Sequence, residues 1–307
     1  MSGRPPARYE GFVRPADGVP LHVVVEGAGP LCVLAAGLGL GWFDWDPVAA
    51  LLAPHRTVVR FDRPGHGLSA PAAAPPTAAG EARRIAALLD ALGPAGRAPA
   101  TVVGHSIAGF HAEAFARLYP ARTAALVLLD SSVEESARPP LLPAAVRDAA
   151  AGALGRALTA AGLPAALGPL LRRTGVRASR TGGGDPAARE SVRRCYRTGR
   201  VWQGTLRENA RYRDQAAEVL ALRAAHPLRA PATVLAGADG SARPAARRWL
   251  GRQADLAERL GARFEIADPS GHMVMLDRPD QVARAVLDAP AADGAPADRR
   301  EHAGPNG

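Results

Sequence analysis

The stretch Thr101 to Ala116 reads TVVGHSIAGFHAEAFA, and its one serine, Ser106, stands in a setting suited to chemistry. Ser106 lies within Gly104-His105-Ser106-Ile107-Ala108, a Gly-x-Ser-x-small element between an apolar, strand-like run and a helix-like one. A serine at such a corner is held in a strained backbone conformation that lifts its Oγ clear of the sheet edge, as a nucleophile requires. The positions two before and two after must be small, because strand and helix pass in contact there. Alanine at 108, where glycine is usual, adds one methyl group, and Gly109 beside it keeps the corner uncrowded. The competing reading of Ser106 is an N-cap, since an ordinary helix start in a βαβ unit also uses serine.

The elements that must position this serine are legible as apolar runs. Leu21–Glu26, Leu31–Ala36, Thr57–Phe61, Thr101–Val103 and Ala125–Leu129 read as strands, several of them continuously apolar, as in strands buried on both faces. Between them, Ile85, Leu88, Leu89 and Leu92 recur with helical spacing, as do Ile107, Phe110, Ala114, Phe115 and Leu118 before Pro120. Buried strands alternating with helices predict a parallel sheet with right-handed crossovers. The rhythm stops after Asp130. Residues 131–227 hold helical, Ala- and Arg-rich segments with no convincing strand, broken at Thr181–Pro186 (TGGGDP). Strands return at Thr233–Ala236 and Ala262–Ile266, with a helix around Ala245–Leu260 and a closing helix at Pro279–Leu287. One α/β domain, 1–130 and 228–288, is thus split by a helical insertion, 131–227. The polar, Pro/Gly-rich tail 289–307 reads as disordered.

Composition narrows the function classes. The 307 residues are 47% hydrophobic, enough for one large core. Net charge is +9, yet every basic side chain except histidine is arginine, and lysine is absent. Arginine together with abundant Ala, Gly and Pro reads as coding bias, and no nucleic-acid-binding pattern accompanies the charge, so no nucleic-acid partner is expected. Cys32 and Cys195 lie far apart and belong to no metal-spaced cluster, which fits a reducing cytoplasm and argues against disulfides or a metal site. No apolar run is long enough to span a bilayer, and the N-terminus has no apolar signal segment, so no membrane association is expected. Oligomeric state is not legible.

Three further motifs extend the pattern around Ser106. Ala36-Gly37-Leu38-Gly39-Leu40-Gly41 follows the strand at 31–36, Asp62-Arg63-Pro64-Gly65-His66-Gly67-Leu68-Ser69 follows that at 57–61, and Ser270-Gly271-His272 follows the last strand. In this order and on these elements, the chain resembles the α/β-hydrolase fold family over nearly its whole length apart from the tail. The resemblance implies a mostly parallel, eight-stranded sheet flanked by helices, with a helical cap inserted after strand 6. It implies His272 as the base, since the family order is nucleophile, acid, histidine, and His272 is the histidine between the last strand and the closing helix. A loop histidine with an exposed ring is the plain alternative. It further implies an oxyanion hole from the backbone N–H groups of Leu38 and Ile107.

The acid is less defined. The family's common position, in the loop after Thr233–Ala236, falls on Gly240 by its Gly-x-x-Asp spacing from Gly237, and Asp239 is one residue early. A family variation places the acid at the end of the preceding strand, which here ends Leu-Leu-Asp130. A carboxylate there would fix the imidazole tautomer and stabilise the imidazolium. Asp130 is preferred, Asp239 is the alternative, and a cap for the following segment is the ordinary role for Asp130.

The implied activity is cleavage of a small-molecule carboxylic ester or lactone through an acyl-enzyme, needing no cofactor. Thioester or amide cleavage on the same residues, or a non-catalytic ligand receptor on the same fold, remain alternatives. Gly37, His105 and Trp202 are expected at the substrate pocket, with Leu141, Leu142, Leu163, Leu170, Leu171 and Leu206 as further apolar walls or as the insertion's own core. The close-set arginines from Arg172 to Arg200 read as a solvated face or as an attraction for an anionic acyl substrate.

Overall fold

The computed structural model describes residues 8–15 and 18–289. Its centre is an eight-stranded sheet in the order β1-β2-β4-β3-β5-β6-β7-β8. The strands are β1 (Tyr9–Val13), β2 (Leu21–Gly27), β3 (Leu31–Ala35), β4 (Thr57–Phe61), β5 (Ala100–His105), β6 (Thr123–Leu129), β7 (Ala232–Gly237) and β8 (Arg263–Ala267). β2 pairs antiparallel with both β1 and β4, and every pairing from β4 to β8 is parallel. The central strands β3, β5 and β6 are apolar almost throughout because helices cover both of their faces.

On one face pack α2 (Ala78–Ala91), α3 (Ala108–Leu118) and α9 (Pro244–Leu260). Their buried side chains, such as Ile85, Leu88, Phe115 and Leu256, form one core with Val33, Val102 and Leu126. On the other face lie α1 (Asp46–Leu52), α10 (Val274–Asp277) and α11 (Pro279–Leu287), where Trp45, Leu52, Met275 and Val286 meet Leu34, Val103 and Val127. Between β6 and β7 the chain forms five helices and no strand: α4 (Ala144–Ala160), α5 (Leu163–Ala178), α6 (Arg189–Tyr196), α7 (Gly199–Ala210) and α8 (Tyr212–Ala225). Among the described residues no single helix is long and apolar enough to cross a membrane.

β1 is a strand that periodicity does not reveal. Tyr9 and Phe12 are about half exposed at the sheet edge, so no buried face imposes a pattern on it. Ala289 is buried against the domain, and the remainder of the tail expected over 289–307 lies outside the described residues.

The chain runs from β3 outward to β4, then returns to β5 on the other side of β3 and continues to β8. The C-terminal ends of β3 and β5 therefore flank the point where the winding direction reverses, and loops leaving these ends diverge to open a crevice. Ser106 stands at that point.

Candidate active site

Ser106 follows β5 directly and has φ of +54°. Asp130, directly after β6, has φ of +40°, and these two are the only non-glycine residues with positive φ among the described residues. Such conformations persist only where the surroundings enforce them. The surroundings here are visible. Ser106 N donates to Leu129 O at 3.1 Å, Asp130 N to Leu235 O at 2.8 Å, and Ser132 N to Ser106 O at 3.0 Å. The ends of β5, β6 and β7 thus lock both turns.

Close approach explains the small residues. A Cβ on Gly104 would lie 2.4 Å from Ala108 O, and one on Gly109 would lie 1.9 Å from Ser131 Oγ. Position 109 is thus a second point where any side chain would crowd the corner, while Ala108 fits as a fully buried methyl.

The elbow brings together three side chains from distant parts of the sequence. His272 Nε2 is 3.1 Å from Ser106 Oγ, and His272 Nδ1 is 2.5 Å from Asp130 Oδ2. With the proton on Nδ1 the ring donates to Asp130 and accepts from Ser106. Asp130 is buried, and its other oxygen accepts from Gly237 N at 3.0 Å and from Trp249 Nε1 at 2.8 Å. Asp239 is engaged elsewhere: its Oδ1 accepts from Ser241 N at 2.9 Å in an exposed turn.

His105 lies under the elbow, fully buried, with Nε2 2.9 Å from His272 O. Burial, reinforced by the nearby His272, depresses its pKa well below 6.5, so it is neutral and donates to that carbonyl.

The loop after β3 closes the site from the opposite side. A Cβ on Gly37 would come within 3.0 Å of Ser106 Cβ and 2.8 Å of His105 Nδ1, so this loop lies against the elbow. Among the described residues, neither Leu38 N–H nor Ile107 N–H has a hydrogen-bond acceptor. Ile107 immediately precedes α3, and Leu38 borders the cavity at Ser106. That cavity, about 370 Å³, is also bordered by Gly39, His105, His272, and Leu171, Arg172 and Tyr196 of the insertion.

Of the expected pocket residues, His105 borders this cavity, whereas Gly37 and Trp202 do not. Gly37 is buried behind it against Ser106. Trp202 borders a neighbouring cavity of about 280 Å³ with Val201, Thr205 and Leu206, and the two cavities share Gly39, Leu171, Arg172 and Tyr196. Leu141 and Leu142 are exposed and border neither.

Three of the close-set arginines, Arg172, Arg180 and Arg200, reach partners in the core domain. Arg172 bonds Asp44, lies 3.3 Å from Asp185, and sits 5.6 Å and 5.4 Å from the ring centres of Phe43 and Tyr196. Arg180 pairs with Asp277 at 2.7 Å. Burial raises the Tyr196 pKa well above 10, keeping its hydroxyl protonated, and it donates to Gly39 O at 2.6 Å.

The Asp62 turn is scaffolding. Asp62 accepts from Trp42 N and Leu68 N, both at 2.9 Å, and Gly67 leaves room for its carboxylate. Its neighbour Arg63, which carries no sequence signal of its own, reaches Glu208 of α7 with two contacts of 2.8 Å. Trp249, Tyr196 and Glu208 were equally invisible in the sequence, because each acts through a contact made by folding. Among the described residues no group of three or more His, Cys, Asp or Glu side chains is arranged to hold a metal.

Comparison with known proteins agrees with this architecture. The model of the alpha/beta hydrolase family matches residues 32–285. The chain is 34% identical over 110 residues to a protein of Azorhizobium caulinodans assigned as the carbamate hydrolase RutD; that stretch covers 36% of this chain and only 40% of the relative. The crystal structure of wild-type Cfl2 from Burkholderia cenocepacia is 26% identical with a TM-score of 0.70, covering 91% of this chain and 94% of its own. That of the enol-lactonase from Burkholderia xenovorans is 24% identical with a TM-score of 0.61, covering 91% and 98%, a likeness of fold alone.

Proposed function

The chain belongs to the alpha/beta hydrolase family, and from that premise we propose that it is a serine hydrolase cleaving small carboxylic esters or lactones through an acyl-enzyme. The observation that carries this reading is the continuous chain Ser106 Oγ, His272 Nε2, His272 Nδ1, Asp130 Oδ2, with contacts of 3.1 and 2.5 Å.

His272 Nε2 takes the Ser106 proton as Oγ attacks the substrate carbonyl carbon. Negative charge moves to the carbonyl oxygen, where the N–H groups of Leu38 and Ile107 receive it; one such donor is typically worth about 10²–10³ in kcat. The tetrahedral intermediate collapses, and the leaving group departs with the proton from His272. Water then gives a proton to His272 and attacks the acyl-enzyme, releasing the acid and returning the proton to Ser106. Asp130 holds the imidazole in the required tautomer and stabilises its cationic form.

The insertion acts as a cap that supplies the far wall of the pocket. Because Arg172 is already paired with Asp44 and lies beside Asp185, the wall offers an apolar surface more than a free cation. The apolar cavity at Trp202 and Leu206 suits a short aliphatic or phenyl group attached to the ester. Carbamate cleavage is a second acyl transfer open to the same residues, favoured by the partial likeness to the carbamate hydrolase relative. Cys32 and Cys195, both buried and unpaired, suit a reducing, cytoplasmic setting.

The test is labelling by a fluorophosphonate probe together with turnover of p-nitrophenyl acetate, p-nitrophenyl butyrate and an aryl carbamate. Labelling lost in Ser106→Ala, with turnover of at least one ester, supports the reading. A protein that binds these compounds without labelling or turnover is a receptor, and the reading fails.

A further inference from the structure

Arg63 leaves the Asp62 turn and runs, 3% exposed, under the loop that follows β3. Its Nη1 donates to Ala36 O and its Nη2 to Gly37 O, the latter at 3.0 Å. The Gly37 carbonyl and the Leu38 N–H belong to one trans peptide unit, in which the two groups point in opposite directions. Whatever anchors that oxygen therefore aims that N–H. Leu40 N also donates to Gly37 O at 3.1 Å, so the turn and Arg63 hold that oxygen together, and the buried guanidinium adds the charge-assisted, stronger of the two bonds. A cation on the carbonyl oxygen also polarises the amide and strengthens its N–H as a donor.

A buried cation needs a counter-charge, and the insertion supplies it. Glu208 of α7 grips Arg63 through Nε and Nη2, both at 2.8 Å, with each side chain 3% exposed. Burial opposes both charges, but their mutual attraction prevails: the Arg63 pKa is raised and that of Glu208 is brought down to about 2. His66 Nε2, 3.3 Å from Glu208, adds a third group to the cluster. We propose that Arg63 is a positioning residue that orients the Leu38 N–H toward the oxyanion, and that Glu208 lets the helical insertion hold Arg63 in that role. The assignment rests on the serine-hydrolase reading above.

The test compares wild type, Arg63→Gln, Glu208→Gln and the double variant carrying both, which leaves no unpaired buried charge and so retains the fold if a single variant does not. Readouts are kcat and KM for p-nitrophenyl butyrate, and the Ki of phenylboronic acid, whose serine adduct places an oxygen at the same donors. Loss of orientation at one donor is expected to lower kcat by about 10- to 100-fold with KM little changed, and to weaken the boronic acid in step. Unchanged kcat and Ki in a double variant with altered melting temperature would reduce Arg63 to a brace for the fold, overturning the proposal while the hydrolase reading stands. Equal turnover by wild type and Ser106→Ala, run alongside, would remove both.

Discussion

Trp249 Nε1 donates to Asp130 Oδ1 at 2.8 Å, while His272 Nδ1 takes the other carboxylate oxygen at 2.5 Å. The indole comes from α9, a helix that follows β7, so the orientation of the Asp130 carboxylate is set from outside the strand that carries it. With Gly237 N on the same oxygen as Trp249, the carboxylate plane has little freedom to turn away from the imidazole.

This arrangement separates the two acid candidates. Asp130→Asn is expected to lower kcat by about 10³–10⁴, the size seen when a triad imidazole is left in the wrong tautomer. Asp239→Asn, which alters only an exposed turn, should leave kcat near wild type. Ester turnover by the two purified variants checks the ranking, and the reverse order would overturn the role given to Asp130.

Removing the indole donor alone is a milder intervention. Trp249→Phe keeps an aromatic, though smaller, ring and deletes a hydrogen bond to a charged group, a loss of about 1.5–3 kcal/mol in similar settings. Part of it should appear as a kcat decrease of about tenfold with KM preserved. A variant with wild-type kcat would show that Gly237 N suffices to orient Asp130.

The elbow predicts an order of tolerance to substitution. Gly104→Ala drives a Cβ to 2.4 Å from the backbone carbonyl of Ala108, which has nowhere to go, and should cost about 2–3 kcal/mol. Gly109→Ala meets only side-chain atoms, Ser131 Oγ, which can rotate, and Ser131 Cβ at 2.9 Å, which must shift slightly, and should cost less than Gly104→Ala. Ala108→Gly should lose about 1 kcal/mol from helix propensity and keep its activity. Urea melts of the three variants measure the order.

Stability should fall in acid in two stages. Burial, as the leading cause, lowers the pKa of His66, His105 and His111 below 6.5 in the folded protein. The unfolded chain therefore binds more protons just below pH 6.5, so stability is full above that pH and declines as pH falls through it. Glu208, at about 2 folded against 4.5 ordinarily, adds a second loss below pH 4.5. Melting temperature against pH should show both stages, and His111→Gln, which removes one buried imidazole, should flatten the first. A flat profile from pH 7 to 5 would contradict this account.

The neighbouring cavity predicts selectivity by chain length. Trp202→Ala should raise KM for p-nitrophenyl hexanoate several-fold and leave that for the acetate unchanged, because only the longer acyl group reaches the 280 Å³ compartment. Equal effects on both esters would remove that compartment from the substrate path.

Much of this protein is written in local pattern. Continuous apolar runs announce β3, β5 and β6 because a strand covered on both faces admits few polar side chains, and helical spacing announces α2 and α3 for the matching reason on one face. Gly104, Ser106 and Gly109 are legible because steric exclusion at a sharp turn acts on residues adjacent in sequence. The strand β1 escaped because an exposed edge imposes no periodicity.

What tertiary structure alone decided are the relations between distant residues. The contact of His272 with Asp130 and not with Asp239, the indole of Trp249 behind that carboxylate, and the Glu208–Arg63–Gly37 chain all depend on where strand ends and inserted helices come to rest. Hydrogen bonds are directional to within tenths of an ångström, while sequence spacing constrains distant positions only to the same neighbourhood. The chain order of serine, aspartate and histidine could thus name the candidates, and only the packed sheet could bring one set of three into contact.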